Sequence, residues 1–192
     1  MKKYRAVVAG CSAGGMQAVA TLLAQLGTSF RLPLIIVQHL HREQGEYLFR
    51  FYSSSTHLKV QEASEREKIL PGNVYVAPPD YHLLIEHDET FSLSVEEKVN
   101  FCRPSIDVLF ESAADVYGPA LAGVVLTGAN SDGALGLKRI KDCGGLTLVQ
   151  RPETAQFPEM PRSALLCVHA DQVLTIEEIG RFLMTLKPEA AY

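Results

Sequence analysis

The sequence predicts an α/β fold: a doubly wound, mostly parallel sheet that helices cover on both faces. Three observations support this prediction. Short apolar runs alternate with amphipathic patterns of helical spacing along most of the chain. The apolar runs end at glycine or polar turn residues. Closely spaced turns interrupt the alternation near residues 58–100 and indicate a small antiparallel hairpin excursion. A chain of 192 residues has the length of one domain, so we expect residues 1–192 to form a single domain.

The first half of the chain opens with two strand–helix units. Residues 4–9 form a short Val-rich run, which predicts a buried strand. Residues 13–26 place apolar side chains three and four positions apart, which predicts an amphipathic helix. Residues 34–38 form a second apolar run, and residues 43–52 again have helical spacing. These four segments predict the order strand, helix, strand, helix.

The rest of the chain passes through the hairpin region and then returns to alternation. The strand candidates of the hairpin region are residues 60–61, 73–77, 81–86 and 91–95. Pro104 suits the first turn of the next predicted helix. The elements predicted beyond it are a helix over 105–116, a strand over 121–127, a helix over 132–141, a strand over 146–150 and a helix over 175–186.

Charge, hydropathy and cysteine spacing exclude several classes of function. Lys and Arg number 18 against 22 Asp and Glu, so the chain has no basic surface for nucleic acid. No apolar run approaches the length of a membrane-spanning helix, so we expect no membrane insertion. The four cysteines form no C-x-x-C pair, and free thiols suit a reducing cytoplasm. The apolar stretch after Lys2 and Lys3 is too short for an export signal, which also favours a cytoplasmic protein.

Three residues that could form a catalytic triad follow three different predicted strands. Ser12 follows the first strand, His39 the second and Asp132 the third. The carboxyl ends of parallel strands lie at one edge of a sheet, where such sheets bind ligands. A serine hydroxyl needs an imidazole to take its proton, and the imidazole needs a carboxylate to fix its tautomer. The pattern therefore predicts a Ser-His-Asp hydrolase.

The residues around Ser12 support a nucleophilic role. The pattern Gly10-x-Ser12-x-Gly14 fits a sharp strand-to-helix turn that exposes the hydroxyl. Backbone amides at the start of the following helix could bind an oxyanion, helped by the helix dipole. The order Ser, His, Asp differs from the Ser, Asp, His order of α/β-hydrolases, so this motif does not indicate a lipase or a common esterase.

Two alternative interpretations concern caps and phosphates. Ser12 and Asp132 could each be a helix cap rather than a catalytic residue. The glycine-rich turn at residues 10–15 could hold a phosphate or a dinucleotide. Its spacing does not match G-x-G-x-x-G, and no P-loop lysine follows it.

Two further alternatives concern a metal and a thiol. His39-x-His41-x-Glu43 has plausible spacing for metal ligands, although no other pair is clearly placed to complete the site. Cys11 adjoins Ser12 and could act as a thiolate nucleophile. We favour a buried structural Cys11, because neighbouring side chains of a strand point in opposite directions.

Five ordered segments carry a family resemblance. They are GCSAGG at 10–15, QHLHR at 38–42, LPGNVYVAP at 70–78, RPSIDVLF at 103–110 and LTGANSDGA at 126–134, and residues 160–162 continue the series. The sequence resembles the catalytic domain of CheB, the chemotaxis protein-glutamate methylesterase. The corresponding family patterns include G-A-S-T-G-G, Q-H-M-P-P and L-T-G-M-G-x-D-G-A. The resemblance covers about residues 4–185.

The resemblance implies a reaction and the roles of five residues. Family members hydrolyse glutamate methyl esters on the cytoplasmic helices of chemoreceptors and release methanol, and many also deamidate receptor glutamines. By position, Ser12 is the nucleophile, His39 the general base and then acid, and Asp132 the carboxylate that orients it. Backbone amides of the Ala13 and Ala129 loops would form the oxyanion hole. The resemblance implies no metal and no organic cofactor.

The resemblance also indicates partners and a substrate surface. The expected partners are methyl-accepting chemoreceptor proteins, and neither nucleic acid nor the membrane itself is expected. We expect substrate contacts from Arg103 and from Met160 in a loop over 156–162. The identity of a regulatory partner does not follow from the sequence.

The chain departs from the family pattern at several positions. Ala13 replaces Thr, Ala129 replaces Met, and Asn130 replaces Gly. Asn is a tolerable replacement for Gly because it is among the residues that tolerate positive φ. His41 and Arg42 replace a pair of prolines. The first strand begins near residue 4, so we expect no receiver domain of the kind that typical members carry. These departures leave one alternative open, a binding module of the same fold without turnover.

Overall fold

The structure is a computed structural model that describes residues 2–39 and 45–189. The strands of the described chain are β1 (Lys3–Tyr4), β2 (Ala6–Cys11), β3 (Leu34–Gln38), β4 (Lys59–Glu62), β5 (Asn73–Val76), β6 (His82–Ile85), β7 (Phe91–Ser94), β8 (Leu121–Val125), β9 (Leu146–Gln150), β10 (Gln172–Leu174) and β11 (Lys187–Pro188). The helices are α1 (Gly15–Gln25), α2 (Gly45–Ser55), α3 (Ile106–Tyr117), α4 (Ala134–Asp142), α5 (Glu159–Cys167) and α6 (Ile176–Leu183). In this described part, none of the helices is long and apolar enough to cross a membrane.

Seven parallel strands form the central sheet in the order β10-β9-β8-β2-β3-β5-β4. The strand β2 lies in the middle, with β3 on one side and β8 on the other. Strands that follow β3 extend the sheet in one direction, and strands that follow β8 extend it in the other. The order of strands therefore reverses beside β2, which creates a crevice at the carboxyl ends of β2, β3 and β8.

Helices cover both faces of this sheet, as the sequence predicts. Alternate side chains of β2 enter two separate clusters of buried residues. Val7 and Ala9 pack with α1, α2 and α6, whereas Ala6 and Val8 pack with α3, α4 and α5. The doubly wound α/β prediction is confirmed.

The antiparallel excursion is smaller than the sequence indicates. Among the strands of the described residues, only β6 and β7 pair antiparallel, as a separate two-stranded sheet. The candidate strands at 60–61 and 73–77 become β4 and β5 of the parallel sheet. The segment between them is long enough to cross over, and it buries Ala63 and Ile69 in the core. The turn at Pro71-Gly72 therefore ends a crossover and does not close a hairpin.

Helix boundaries near the crevice also differ from the prediction. Helix α4 begins at Ala134 because Gly133 has a φ of 92°, so Asp132 lies before the helix. Ser105 is the N-cap residue of α3, and Pro104 precedes it. Residues 159–167 form α5, although a loop over 156–162 was expected. Pro161 is compatible with this helix because a proline in the first turn loses no hydrogen bond.

Candidate active site

The crevice brings together the segments that follow β2, β3 and β8. Strands β2 and β3 are paired up to Cys11 and Gln38, so Ser12 and His39 occupy the next positions side by side. The amide of His39 donates to the carbonyl of Cys11 at 3.1 Å. The amide of Ser12 donates to the carbonyl of Thr127 at 3.0 Å. Backbone hydrogen bonds therefore hold the three segments in one cluster.

A tight turn presents Ser12 at the start of α1. The amide of Gly15 donates to the carbonyl of Ser12 at 2.8 Å, and Gly14 has a φ of 74°. A Cβ atom at Gly14 would lie 2.7 Å from Oε1 of Gln156, so both the conformation and the space require glycine. The N-cap of α1 is Gly14, and no side chain caps this helix. Ser12 is therefore not a helix cap, and its half-buried hydroxyl has no hydrogen bond to the described part of the chain.

His39 is paired with a fully buried carboxylate. Its Nε2 atom lies 2.9 Å from Oδ2 of Asp132, and the two side chains are 13% and 0% exposed. Because a carboxylate accepts the N–H of the imidazole, this contact places the ring proton on Nε2. Nδ1 is then the nitrogen whose lone pair can accept a proton, and it lies 3.6 Å from the Cys102 sulfur and 3.4 Å from Nδ2 of Asn130.

The Asp132 carboxylate accepts more hydrogen bonds than the capping of a helix requires. Its carboxylate also accepts hydrogen bonds from Ser105 Oγ at 2.8 Å, the Ile106 amide at 2.7 Å, the Asp107 amide at 3.2 Å and Asn100 Nδ2 at 3.2 Å. Burial alone raises the pKa of Asp132, but hydrogen bonds from His39, the Ile106 amide and Ser105 outweigh it and lower the pKa. Asp132 therefore stays ionised beside the imidazole.

The environment of His39 favours its protonated form. Burial alone lowers the pKa of the imidazole. The hydrogen bond and negative charge of Asp132, together with the hydrogen bond and electrostatic contact of Cys102, outweigh burial and raise the pKa of His39 to about 9. The carboxylate thus stabilises the imidazolium that forms when the ring takes a proton from a nucleophile.

Two backbone amides in the loops that carry Ser12 and Asp132 have no hydrogen-bond partner among the described residues. Neither Ala13 nor Ala129 donates its amide hydrogen to a described residue. The Thr127 hydroxyl donates to the carbonyl of Ala13 at 3.0 Å and accepts from the amide of Phe157 at 2.9 Å. These bonds fix the orientation of the peptide that carries the Ala13 carbonyl. Unpaired backbone amides suit a developing negative charge, and the Ala13 amide also lies just before the start of α1.

The remaining predicted residues have different surroundings. The Arg103 guanidinium donates to the carbonyls of Val95 at 2.7 Å and Glu96 at 2.9 Å, and its contact with substrate stays a prediction. Met160 is 1% exposed, and its side chain packs under Gly128. The Met160 side chain thus packs in the core, and its contact with substrate stays a prediction.

The structure tests the alternative thiol interpretation but not the alternative metal interpretation. Cys11 is fully buried, and burial raises the pKa of its thiol far above the usual range, as expected of a structural cysteine. His41 and Glu43 lie outside the described residues. The metal site that would need both of them is therefore neither supported nor opposed.

Sequence reasoning missed the loop that completes the cluster. Asn100, Cys102 and Ser105 all contact the His39–Asp132 pair, and Asn130 does so from the other side. The only available signal was the family segment at 103–110, which begins too late to include Asn100 and Cys102. A loop of irregular backbone, with positive φ at Asn100 and Phe101, places these groups.

Comparison with known proteins identifies the family. The model of the CheB methylesterase family matches residues 7–183. A protein of Leptospira interrogans, provisionally named protein-glutamate methylesterase/protein-glutamine glutaminase, is 54% identical over 184 residues, which cover 95% of each chain. The protein-glutamate methylesterase FrzG of Myxococcus xanthus is 38% identical over 94% of this chain, which spans 54% of its length.

A solved structure supports the same assignment. The crystal structure of the Thermotoga maritima CheB methylesterase catalytic domain superimposes with a TM-score of 0.91 at 32% identity. The match covers 95% of this chain and 98% of that one. The chain belongs to the CheB methylesterase family.

Proposed function

We propose that this chain is a cytoplasmic serine hydrolase that cleaves methyl esters of glutamate side chains on chemoreceptor proteins and releases methanol. The observation that carries the proposal is the bonded pair of His39 and Asp132 beside the half-buried turn of Ser12. The names of the relatives indicate the same reaction. We assign the whole chain, residues 1–192, to one catalytic domain that needs no metal or organic cofactor.

The first half of the reaction forms an acyl-enzyme. The Ser12 hydroxyl attacks the ester carbonyl while Nδ1 of His39 takes its proton. Asp132 stabilises the resulting imidazolium through Nε2. The tetrahedral oxyanion accepts hydrogen bonds from the amides of Ala13 and Ala129, each worth about 10²–10³ in rate. The C–O bond to the methoxy group then breaks, and His39 returns the proton to release methanol.

The second half regenerates the enzyme. Water attacks the acyl carbon and gives its proton to His39, which then passes a proton back to Ser12 as the ester bond breaks. The product is a free glutamate side chain. A glutamine side chain would follow the same steps with ammonia as the leaving group, which accounts for the glutaminase activity in the name of the Leptospira interrogans relative.

An exposed aromatic side chain supports a protein substrate. Phe101 is 96% exposed and adjoins Cys102, whose sulfur lies 3.6 Å from Nδ1 of His39. A large apolar side chain fully exposed beside a reactive cluster is typical of a contact surface for another macromolecule. We propose that Phe101 packs against the receptor helix that carries the ester.

Methanol release from a methylated receptor fragment tests the proposal. We expect wild type to release methanol and Ser12→Ala to lose nearly all of that activity. Cys11→Ser, in the same turn, is the matched control and should keep most of it. Equal release by wild type and Ser12→Ala would overturn the proposal. Binding of the fragment without release by either protein would favour a binding module instead.

A further inference from the structure

Three polar side-chain atoms form a nearly equilateral triangle at the free nitrogen of His39. Nδ1 of His39 lies 3.6 Å from Sγ of Cys102 and 3.4 Å from Nδ2 of Asn130. Nδ2 of Asn130 lies 3.6 Å from the same sulfur. The three side chains come from separate segments: the end of β3, the loop before α3 and the loop after β8. The proposed hydrolysis uses only one of these atoms.

The edges of this triangle match one face of a tetrahedral zinc site. With Zn–N and Zn–O bonds of about 2.0–2.1 Å and a Zn–S bond of about 2.3 Å, tetrahedral angles place N or O donors about 3.4 Å apart and an N and an S donor about 3.6 Å apart. The observed separations are 3.4, 3.6 and 3.6 Å. A cation could therefore contact all three corners with little movement of the backbone.

The histidine is already arranged as a metal ligand. A metal-binding imidazole usually donates its second N–H to a carboxylate, which fixes its tautomer and raises its basicity. Asp132 makes this contact with Nε2 of His39, so the lone pair of Nδ1 faces the triangle. His39, Cys102 and Asp132 are also the one group of three potential ligands that lie close together within the described residues.

Cys102 and Asn130, the other two corners of the triangle, need small changes before they can bind a metal. The Cys102 thiol lies 3.3 Å from the carbonyl of Asn100 and would bind as thiolate after losing its proton to solvent. The Asn130 side chain presents its NH₂ group to the triangle, and its Oδ1 accepts from the Asp132 amide at 3.2 Å. Rotation of the amide group by half a turn would present the oxygen and would give up this one long hydrogen bond.

We propose that His39, Cys102 and Asn130 form a site for a thiophilic divalent cation, zinc in particular, and that its occupation inhibits the hydrolase. Inhibition follows because the metal takes the lone pair on Nδ1 that would accept the serine proton. The inhibition rests on the proposed function, whereas binding of the metal does not. A proton on Nδ1 and the metal exclude each other, so hydrolysis and metal binding compete for one nitrogen.

Cobalt(II) binding tests the site without reference to activity. Co²⁺ alone is added to wild type, Cys102→Ser and Cys167→Ser, with Cys167 as an exposed thiol outside the triangle. We expect one equivalent of Co²⁺ to give a thiolate-to-cobalt charge-transfer band in wild type and Cys167→Ser, displaced by Zn²⁺. Cys102→Ser should lack the band. A band of equal strength in Cys102→Ser, or none in wild type, would overturn the proposal.

Zinc inhibition of methanol release tests the functional consequence. Zn²⁺ should inhibit wild type and Cys167→Ser at the same concentration, and a chelator should restore turnover. Cys102→Ser should need about tenfold more Zn²⁺ or higher, because loss of even an outer-shell partner costs about 10–100-fold in metal affinity. Equal zinc sensitivity of all three proteins would contradict the inhibitory role. Absence of esterase activity in all three would count against the proposed function and leave the cobalt result to decide the site.

Discussion

Asp132→Asn replaces one oxygen of a side chain on which five hydrogen-bond donors converge. Oδ2 accepts from His39 and from the Ile106 amide. Oδ1 accepts from Ser105, from Asn100 and from the Asp107 amide. All of these groups donate, so the NH₂ group of the new asparagine must face donors whichever way it turns.

The two orientations of the asparagine differ in cost. An NH₂ group at the position of Oδ1 would face three donors, whereas one at the position of Oδ2 faces two. The second orientation is therefore favoured, and it leaves the buried Ile106 amide without an acceptor, at about 1–3 kcal/mol. His39 can accept from this NH₂ group only by moving its proton to Nδ1. That tautomer cannot take a proton from Ser12, and the same change in serine proteases costs about 10⁴ in turnover.

Two measurements check this prediction. Methanol release should fall by about 10⁴ in Asp132→Asn, and urea unfolding should show a stability lower by about 1–3 kcal/mol. The matched control is Ser105→Ala, which removes one donor to Oδ1 and leaves Oδ2 on His39. It should lose about 1 kcal/mol of stability and less than about tenfold in turnover. Turnover of folded Asp132→Asn within tenfold of wild type would refute the role of Asp132.

Three further predictions concern neighbouring residues. Phe101→Ala should raise KM and so lower kcat/KM for a receptor fragment by about tenfold, as expected when a partly buried aromatic contact is lost. Leu166→Ala, which also removes an exposed apolar side chain, should leave kcat/KM unchanged. Equal effects of the two substitutions would contradict a contact surface at Phe101. Burial and the nearby Asp132 raise the pKa of Asp107 to about 6, so its contribution to stability is complete below pH 4 and is lost as the pH rises through 6. Unfolding free energies of Asp107→Asn relative to wild type should therefore increase between pH 4 and pH 7, and a difference that does not change with pH would contradict this assignment. Cys11→Ser should keep turnover within a few-fold of wild type, because the Cys11 thiol is buried away from the crevice. Loss of methanol release in a folded Cys11→Ser protein would favour the thiolate interpretation again.

The positions of Ser12, His39 and Asp132 could be predicted because each follows an apolar run of a parallel sheet. Such strands align their carboxyl ends, so sequence position alone places the three residues at one edge. The sequence did not separate the catalytic and capping interpretations of Ser12. The structure does, because the positive φ of Gly14 moves the start of α1 beyond Ser12.

The surroundings of the carboxylate could not be predicted. Ser105 and Asn100 reach Asp132 from a loop whose irregular backbone leaves no periodic pattern in the sequence. The parallel pairing of β4 and β5 was hidden for a related reason, since a crossover without a helix has the same turn residues as a hairpin. Helix α5 was hidden by Pro161, which the first turn of a helix tolerates.

The most direct test of the triad is to trap the acyl-enzyme. A peptide that carries a glutamate methyl ester is mixed with Asp132→Asn, or briefly with wild type, and the reaction is quenched in acid. Mass spectrometry of the digested protein should locate the peptide's glutamyl group on Ser12, with none in Ser12→Ala. An acyl group found on Cys11 or Cys102 instead, in a protein that releases methanol, would contradict the assignment of Ser12 as the nucleophile.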